Sequence, residues 1–461
     1  QNHLMAAAVA KAAESTDFYT YQIANSCRFD RASSHYLNRT IQSGGNLDLW
    51  TLSFWMKLTA SAGFGSNQYH LYTSEDNTSG AYDAILFDVN SSSQIYYQIT
   101  NKYFVGNHSI RDTSAWYHVV IVFDSGNGTA AHRKRVWFNN VEDTGSDVQT
   151  YPQGTDSQLN KNTVHNIGAR QDENAGYFFD GYLADFIFVD GYAYAPTYFG
   201  EEKNGVWSPK DYKTDTGNYG TTGYHLDFAN SAALGNDVSG NNNDWTVHNL
   251  SAHDQMKDTP TFDGSSQGGN FCTLNPLDLV AGGTLSEGNL NASTGDNADY
   301  HIGSTYGINV DTDTAGYYYE VRIASRSTNM GVGFQRNQVW TGNGIGAADK
   351  PTYAMNIGSG SGAGDVYNLG TGDTSYRQSF ADGDIVGVAI KGAKIWFAKN
   401  NTYINSGDPA GGTGAVITDA SIGNYNSLMP VWIQAGGSTN TMGFNFGQDG
   451  TFAGTVTAQG N

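Results

Sequence analysis

Side chains able to hold a hard cation gather in three stretches of this chain. They are Asp172, Glu173, Asn174 and Asp180; Asp237, Asn241, Asn243 and Asp244; and Glu75, Asp76 and Asn77. Calcium takes several oxygens from carboxylates, amides and carbonyls on one or two loops, and each stretch could supply them. The same residues also build turns through side-chain to backbone hydrogen bonds, so both readings stand here. Glycoside hydrolysis would need two carboxyl groups ~5 Å apart on one face. The close acid pairs, Glu201-Glu202, Asp172-Glu173 and Glu75-Asp76, are adjacent in sequence, and neighbours on a strand point to opposite faces. The tract GSGSGAG at 358–364 opens no helix, which argues against a serine nucleophile elbow, and lacks the Gly-Lys-Ser/Thr ending of a phosphate loop. No paired His/Cys spacing suggests zinc, and His118, inside an apolar run, reads as a satisfied, partly buried histidine. The expectation is a protein with no catalytic residues. For sugar recognition the candidates are Trp207, Trp245 and Trp340, which fall in loop-like sequence near Tyr and Asn. Packing across a domain seam is their competing role.

The elements that must position these groups read as strands. Gly at 57 and Tyr at 29 are abundant, whereas Pro at 8 and charged residues at 15% are sparse. That balance suits short strands and tight turns better than helices. In WTLSFWMKLT, residues 50–59, Leu52, Phe54 and Met56 oppose Trp55 and Lys57. AILFDVN, QIYYQIT, WYHVVIVFD and RVWFNN follow at short intervals with polar turns between, the pattern of an antiparallel sandwich. Trp50, Trp55, Trp116, Trp137, Trp396 and Trp432 alternate within such runs and are assigned to the core. Residues 4–14, LMAAAVAKAAE, are the one helix candidate, too short to stand alone in water and so docked on its own domain or on a neighbouring subunit.

A net charge of −20 argues against nucleic acid and anionic membranes as partners. No run of eighteen apolar residues occurs, so no membrane insertion is expected. Cys27 and Cys272 form either one bridge or, the favoured reading, two inert buried thiols. The chain begins with Gln, as a processed or incompletely represented sequence would, and its first fifteen residues lack the basic leader and apolar core of a signal peptide.

In 380–410 the strand Asp384 to Ile390, a Lys-Gly-Ala turn and the strand Lys394 to Ala398 read as a β-hairpin. Its wording resembles the SPRY (B30.2) domain, as do Tyr317-Tyr-Tyr-Glu-Val-Arg, Gly331-Val-Gly-Phe, Leu428-Met-Pro-Val-Trp-Ile and Met442-Gly-Phe-Asn-Phe-Gly, although Asn401 stands where that family's turn has glycine. Trp116-Tyr-His-Val, the Asp124-Ser-Gly-Asn-Gly loop, Ile167-Gly, Phe179-Asp-Gly and Ala184-Asp-Phe-Ile-Phe resemble the laminin-G/pentraxin-like, concanavalin-type jelly roll. That likeness implies calcium at a sandwich rim, which favours the Asp172–Asp180 set. SCRFDRASSHYLNRT with FGEEKNGVWSPKDY at 199–212 resembles tailed-bacteriophage virion structural proteins.

The sequence therefore predicts an all-β chain of two tandem antiparallel β-sandwiches with a short N-terminal helix. Residues 1–25 form a helical anchor, 26–212 a laminin-G/concanavalin-like jelly roll, 213–270 a connecting region with an extra strand and an Asn/Asp-rich loop, and 271–461 a SPRY-like sandwich. The strand near 224–228 either completes the first sandwich or belongs to a linker. The resemblances imply a non-enzymatic, homo-oligomeric virion component, attached to other virion proteins through the N-terminal segment. It would be a fibre or decoration binding host-surface glycan or protein, with a capsid- or tail-stabilising protein as the alternative and a polysaccharide-degrading enzyme third.

Overall fold

The computed structural model describes residues 18–59, 68–76, 81–88, 94–99, 102–110, 112–145, 147–170, 177–262, 268–279, 282–295, 299–310, 316–336, 352–424, 427–435 and 439–459. The expected helix at 4–14 lies outside them. The chain divides into two compact units at Asn270/Phe271. Each is a pair of antiparallel sheets, so the chain is all-β, two sandwiches in tandem.

The first unit holds two 8-stranded sheets. One runs in the order Val141–Asp143, Lys134–Phe138, Tyr117–Asp124, Leu49–Leu58, Gly181–Asp190, Ser26–Phe29 and Gln255–Met256. The other runs Asp147–Val148, Lys102–Ser109, Gln94–Ile99, Ala81–Asp88, Gln68–Asp76, Val164–Ile167, Tyr36–Thr40 and Thr246–His248. Period-two alternation sends Trp50, Leu52, Phe54, Met56 and Leu58 between the sheets, against Leu37, Tyr72, Ile85, Phe87 and Tyr97. Tyr224–Leu226 pairs with Gly181–Asp190 in the register Phe186↔Leu226 to Phe188↔Tyr224, and Tyr224, Leu226, Phe228, Leu234 and Trp245 all join this core. The stretch expected as a connection, 213–270, is thus built into the first unit, because its apolar residues have nowhere else to be buried.

The opposite face of Leu49–Leu58 carries Thr51, Ser53, Trp55 and Lys57, and these are buried as well. A second apolar layer covers them: Ile23, Trp116, Tyr182 and Met256 around Trp55, and Val120, Trp137, Ile187, Phe199, Tyr212 and Tyr219 beside it. The cover consists of the segment 18–25, the hairpin of Gly200–Lys203 and Val206–Pro209, the short helix α1 (Tyr212–Asp215) and the residues following Gln255. Among the described residues no helix is long and apolar enough to cross a membrane.

In the second unit an 8-stranded sheet runs Thr284–Ser286, Asn291–Ser293, Thr441–Asn445, Tyr317–Ser325, Ile385–Lys391, Lys394–Lys399 and Thr402–Tyr403, with Ile417–Thr418 on Lys394–Lys399. It faces the 6-stranded Asp299–Gly303, Leu428–Ala435, Met330–Arg336, Thr352–Asn356, Val366–Asn368 and Thr371–Asp373 across a core that includes Val321, Phe334, Val388, Phe397 and Trp432. The hairpin turns at Gly392, φ +55, as a two-residue loop requires. The next turn uses Asn400 and Asn401 at φ +47 and +64, a conformation Asn tolerates, so the missing glycine costs the turn little. Trp396 lies on the face away from Ile395 and Phe397, fully buried, and its indole N–H donates to the Thr413 carbonyl at 2.7 Å. Cys27 and Cys272 are both free, buried thiols.

Candidate functional site

Covering a sheet face that carries polar side chains forces each of them to find a partner. Ser53 and His118 stand on adjacent strands of the first sheet, with Ser53 Oγ 2.8 Å from His118 Nε2. That pairing is the opening half of a nucleophilic relay, but its proton runs the wrong way. The Trp207 indole N–H donates to His118 Nδ1 at 2.9 Å, which fixes Nδ1 as acceptor and leaves the proton on Nε2. Nε2 therefore donates to Ser53 and cannot take its proton. Burial pushes the His118 pKa down to about 3, and Trp55 stacks on the ring at 4.8 Å. The Ser53–His118–Trp207 string pins the hairpin to the sheet.

A second network lies over Gly181–Asp190. The register shifts between Ala184 and Ile187, and Asp185 there has φ +48, a left-handed conformation that costs a non-glycine residue roughly 1–2 kcal/mol. Its carboxylate accepts from Tyr21 Oη at 3.1 Å and from His225 Nε2 at 2.5 Å. His225 Nδ1 pairs with the Tyr219 hydroxyl at 3.1 Å. Burial first, then nearby carboxylates including Asp185, raise the pKa of both tyrosines, so these hydroxyls stay protonated and act as donors. With Asp185, His225 and Tyr219 all buried, the chain ties the segment 18–25 to the sheet.

A third group is an ion pair inside the cover. Lys57 Nζ lies 2.8 Å from Asp258 Oδ2, both fully buried, and donates to Asn270 Oδ1 at 2.9 Å. Trp116 Nε1 donates to Asp258 Oδ1 at 2.9 Å, and Asn270 Nδ2 to the Ser114 carbonyl at 2.7 Å. Asp190 locks the loops at the far end of its strand, accepting from Asn46 N, Asn160 Nδ2, Thr221 N and Thr222 N.

Of the first calcium set only Asp180 is among the described residues. It is buried and accepts from Thr59 Oγ1 at 3.2 Å. Asp172, Glu173 and Asn174 lie outside them, as do Asn77 and the side chains of Glu75 and Asp76. The second set is brought together, but as a hydrogen-bonded knot. Asp237 Oδ1 accepts from His225 N and Ser239 N, and Oδ2 from Ser239 Oγ and Asn243 N, all at 2.8–2.9 Å. Asp244 Oδ1 accepts from Asp237 N at 2.8 Å. The amides of Asn241 and Asn243 both donate to the Gly223 carbonyl, and Arg39 donates to Asn243 Oδ1. Among the described residues no three His, Cys, Asp or Glu side chains converge as a metal group. Asp237→Asn should lower the thermal midpoint, because an NH₂ group replaces one of the two saturated acceptor oxygens. About 1–3 kcal/mol of stability is at stake, read by scanning calorimetry.

The tryptophan candidates separate. Trp245 is 5% exposed and packs against Tyr72 and Tyr224 inside the core, so its ring forms no platform. Gly235 carried the signal: a Cβ there would sit 2.0 Å from the Trp245 carbonyl oxygen, marking close-packed chain instead of an open loop. Trp207 is half-buried and committed to His118. Trp340 lies outside the described residues.

The exposed aromatic surface lies elsewhere, in the segment after Gly181–Asp190. Tyr192 and Tyr194 are parallel to within 3° with centroids 5.5 Å apart, and Tyr198 lies 4.4 Å from Tyr194 on a 34° tilt. Tyr192 and Tyr198 are each 41% exposed. Its sequence signal is the Tyr-x-Tyr-x-x-x-Tyr spacing with a proline between, in a run that also closes a strand pattern.

Residues 33–193, roughly a third of the chain, match the family model described as the concanavalin A-like lectin/glucanases superfamily, a laminin G model. No curated protein matches the sequence. Among solved structures, the SPRY domain of human HERC1 is 15% identical, covering 37% of this chain and 96% of that one, with a TM-score of 0.30. The heptameric SAP-like pentraxin of Limulus polyphemus is 16% identical, covering 37% and 77%, with a TM-score of 0.26. Domains LG4-5 of the mouse laminin alpha1 chain are 8% identical, covering 93% and 91%, with a TM-score of 0.30. The first sandwich thus has a laminin-G/concanavalin-like, lectin-type fold, one compatible with carbohydrate or protein binding.

Proposed function

We propose that this chain is a non-enzymatic recognition protein, a surface-exposed fibre or decoration component of a tailed-phage virion that holds host-surface glycan or protein through its sandwich loops. The observation that carries the recognition role is the exposed tyrosine pile at 192–198 on a sandwich of lectin type. Two groups that look catalytic favour binding over chemistry: the Ser53–His118 pair is set in the wrong proton sense, and the Asp185–His225–Tyr219 chain is buried. Placement on a virion rests on the resemblance carried by SCRFDRASSHYLNRT and FGEEKNGVWSPKDY. Attachment to other virion proteins through the N-terminal segment gains support from residues 18–23. The Phe18 carbonyl accepts from Lys203 Nζ, Thr20 Oγ1 donates to Glu201, and the Ile23 backbone bonds Thr261 Oγ1 through both its N–H and its carbonyl. A pull on residues ahead of 18 would reach the sheet directly. Homo-oligomerisation and calcium at Asp172–Asp180 belong to the same proposal.

The test is saturable binding of the fluorescently labelled chain to a panel of bacterial cells, with and without EDTA, beside binding to phage particles stripped of this protein. Cell binding is the expected result, and its loss in EDTA would implicate calcium. Binding to particles alone would make the chain a stabilising component and retire the receptor role.

A further inference from the structure

We infer that Tyr192, Tyr194 and Tyr198 form a stacking subsite for an uncharged pyranose ring of a glycan, an assignment that rests on the recognition role proposed above. The pile is held from beneath. Tyr194 N donates to Thr51 Oγ1 at 3.0 Å, and that hydroxyl donates to the Tyr192 carbonyl at 2.8 Å, fastening the segment to the strand Leu49–Leu58. Buried Pro196 opens the 3-10 turn Pro196–Tyr198, and Tyr212 meets Tyr194 edge-on at 6.1 Å. With Tyr192 parallel to Tyr194 and Tyr198 tilted against it, the rings support one another, and Tyr192 and Tyr198 still keep 41% of their surface exposed. Aromatic rings set in advance lose little freedom when a ligand lands on them.

The chemistry of the patch selects its occupant. Residues 191–199, Gly-Tyr-Ala-Tyr-Ala-Pro-Thr-Tyr-Phe, contain no Asp, Glu, Lys, Arg or His, so an ionic ligand finds no counter-charge in the segment. What it offers is ring faces and phenolic hydroxyls, with the Asn218 side chain beside the Tyr194 hydroxyl. Ring faces suit the C–H faces of a pyranose, while hydroxyls and an amide suit its hydroxyl groups. Size argues against a protein partner. Two tyrosines at 41% exposure present on the order of 200 Å², against roughly 800 Å² per partner in a stable protein interface.

The experiment is saturation-transfer NMR on the full chain with maltohexaose, cellohexaose and mannohexaose, and with hyaluronan hexasaccharide as the anionic control, alongside the cell-binding assay. At least one neutral hexaose should saturate the protein in preference to hyaluronan. Tyr192→Ala and Tyr198→Ala should each weaken that binding about tenfold. Tyr192→Phe, which keeps the ring, should stay within about threefold, which separates stacking from misfolding. Val141→Ala, at an exposed apolar position away from the pile, should change nothing. Equal binding by both alanine variants overturns the subsite, as does a wild-type chain that binds none of the neutral hexaoses. If cells are still bound in either case, recognition itself stands on another surface. If cells are not bound either, both proposals fall.

Discussion

Lys57→Met should destabilise the first unit by about 3–5 kcal/mol, while Lys57→Met/Asp258→Asn should recover at least half of that loss. The reason is asymmetry. Lys57 and Asp258 sit fully buried with 2.8 Å between Nζ and Oδ2, so the pair as a whole has already lost its hydration. Removing the ammonium alone leaves a carboxylate deprived of its cation in a dry site, with the Trp116 indole still aimed at it. Neutralising the carboxylate as well removes the charge but keeps an oxygen for Trp116. The damage should also be local first. Asn270 loses the ammonium it accepts from, so amides in 257–262 and 268–270 should exchange faster than those of Gln68–Asp76 on the other sheet. Urea titration read by hydrogen-exchange mass spectrometry follows each segment separately. A double variant no more stable than the single one would show that the buried charge is not the source of the cost.

Much of the architecture could be read from alternation alone. The two faces of residues 50–59 separate as Leu52, Phe54 and Met56 predict, and the hairpin at 385–399 forms where its period-two runs place it. What could not be read was the third layer. Alternation assigns Trp55 to the core, but the segments that cover it and its neighbours are distant: Trp55 stacks on His118, Ser53 bonds the same ring, and Lys57 pairs with Asp258, 201 positions away. Local pattern reports which side chains share a face; it does not report whether another segment will cover that face. At 237–244 the cation and turn-forming readings cannot be separated from sequence, for a related reason. Asp and Asn saturated by backbone N–H groups have the same composition as a cation loop, and only the donor directions tell them apart. Trp245 stands between polar neighbours that mask an indole reaching into the core. The exposed tyrosines are hidden for the opposite cause, since YAYAP reads as strand-ending sequence whether or not its rings face solvent.

Acidification from pH 7.5 to 5 should cost the first unit about 4 kcal/mol through two histidines alone. Burial lowers the His118 pKa to about 3 and the His165 pKa to about 4, from an ordinary value near 6.5. The geometry gives the same direction independently. His118 Nδ1 accepts from Trp207, and His165 Nε2 accepts from Asn160 N at 3.0 Å while its Nδ1 donates to the Thr163 carbonyl. Protonating either ring would turn an acceptor into a donor facing another N–H. Between about pH 6.5 and pH 4 the unfolded chain therefore binds protons that the folded chain refuses, and stability falls as pH falls. Each ring contributes about 2 kcal/mol by pH 5, and the loss levels off only below the folded values. His35 and His108, both lowered chiefly by burial, act with the same sign. Carboxylates with lowered values, such as Glu142, give up their contribution only at still lower pH. Urea midpoints of the first unit at pH 7.5, 6 and 5, read on the amides of Leu49–Leu58 after correction for intrinsic exchange, measure the slope. In His118→Gln the slope between pH 6 and 5 should drop by close to one proton, whatever the variant's stability at pH 7.5. A midpoint that does not move from pH 7.5 to 5 would mean that these rings accept protons without unfolding, and the sealed reading of the His118 and His165 environments would have to be abandoned.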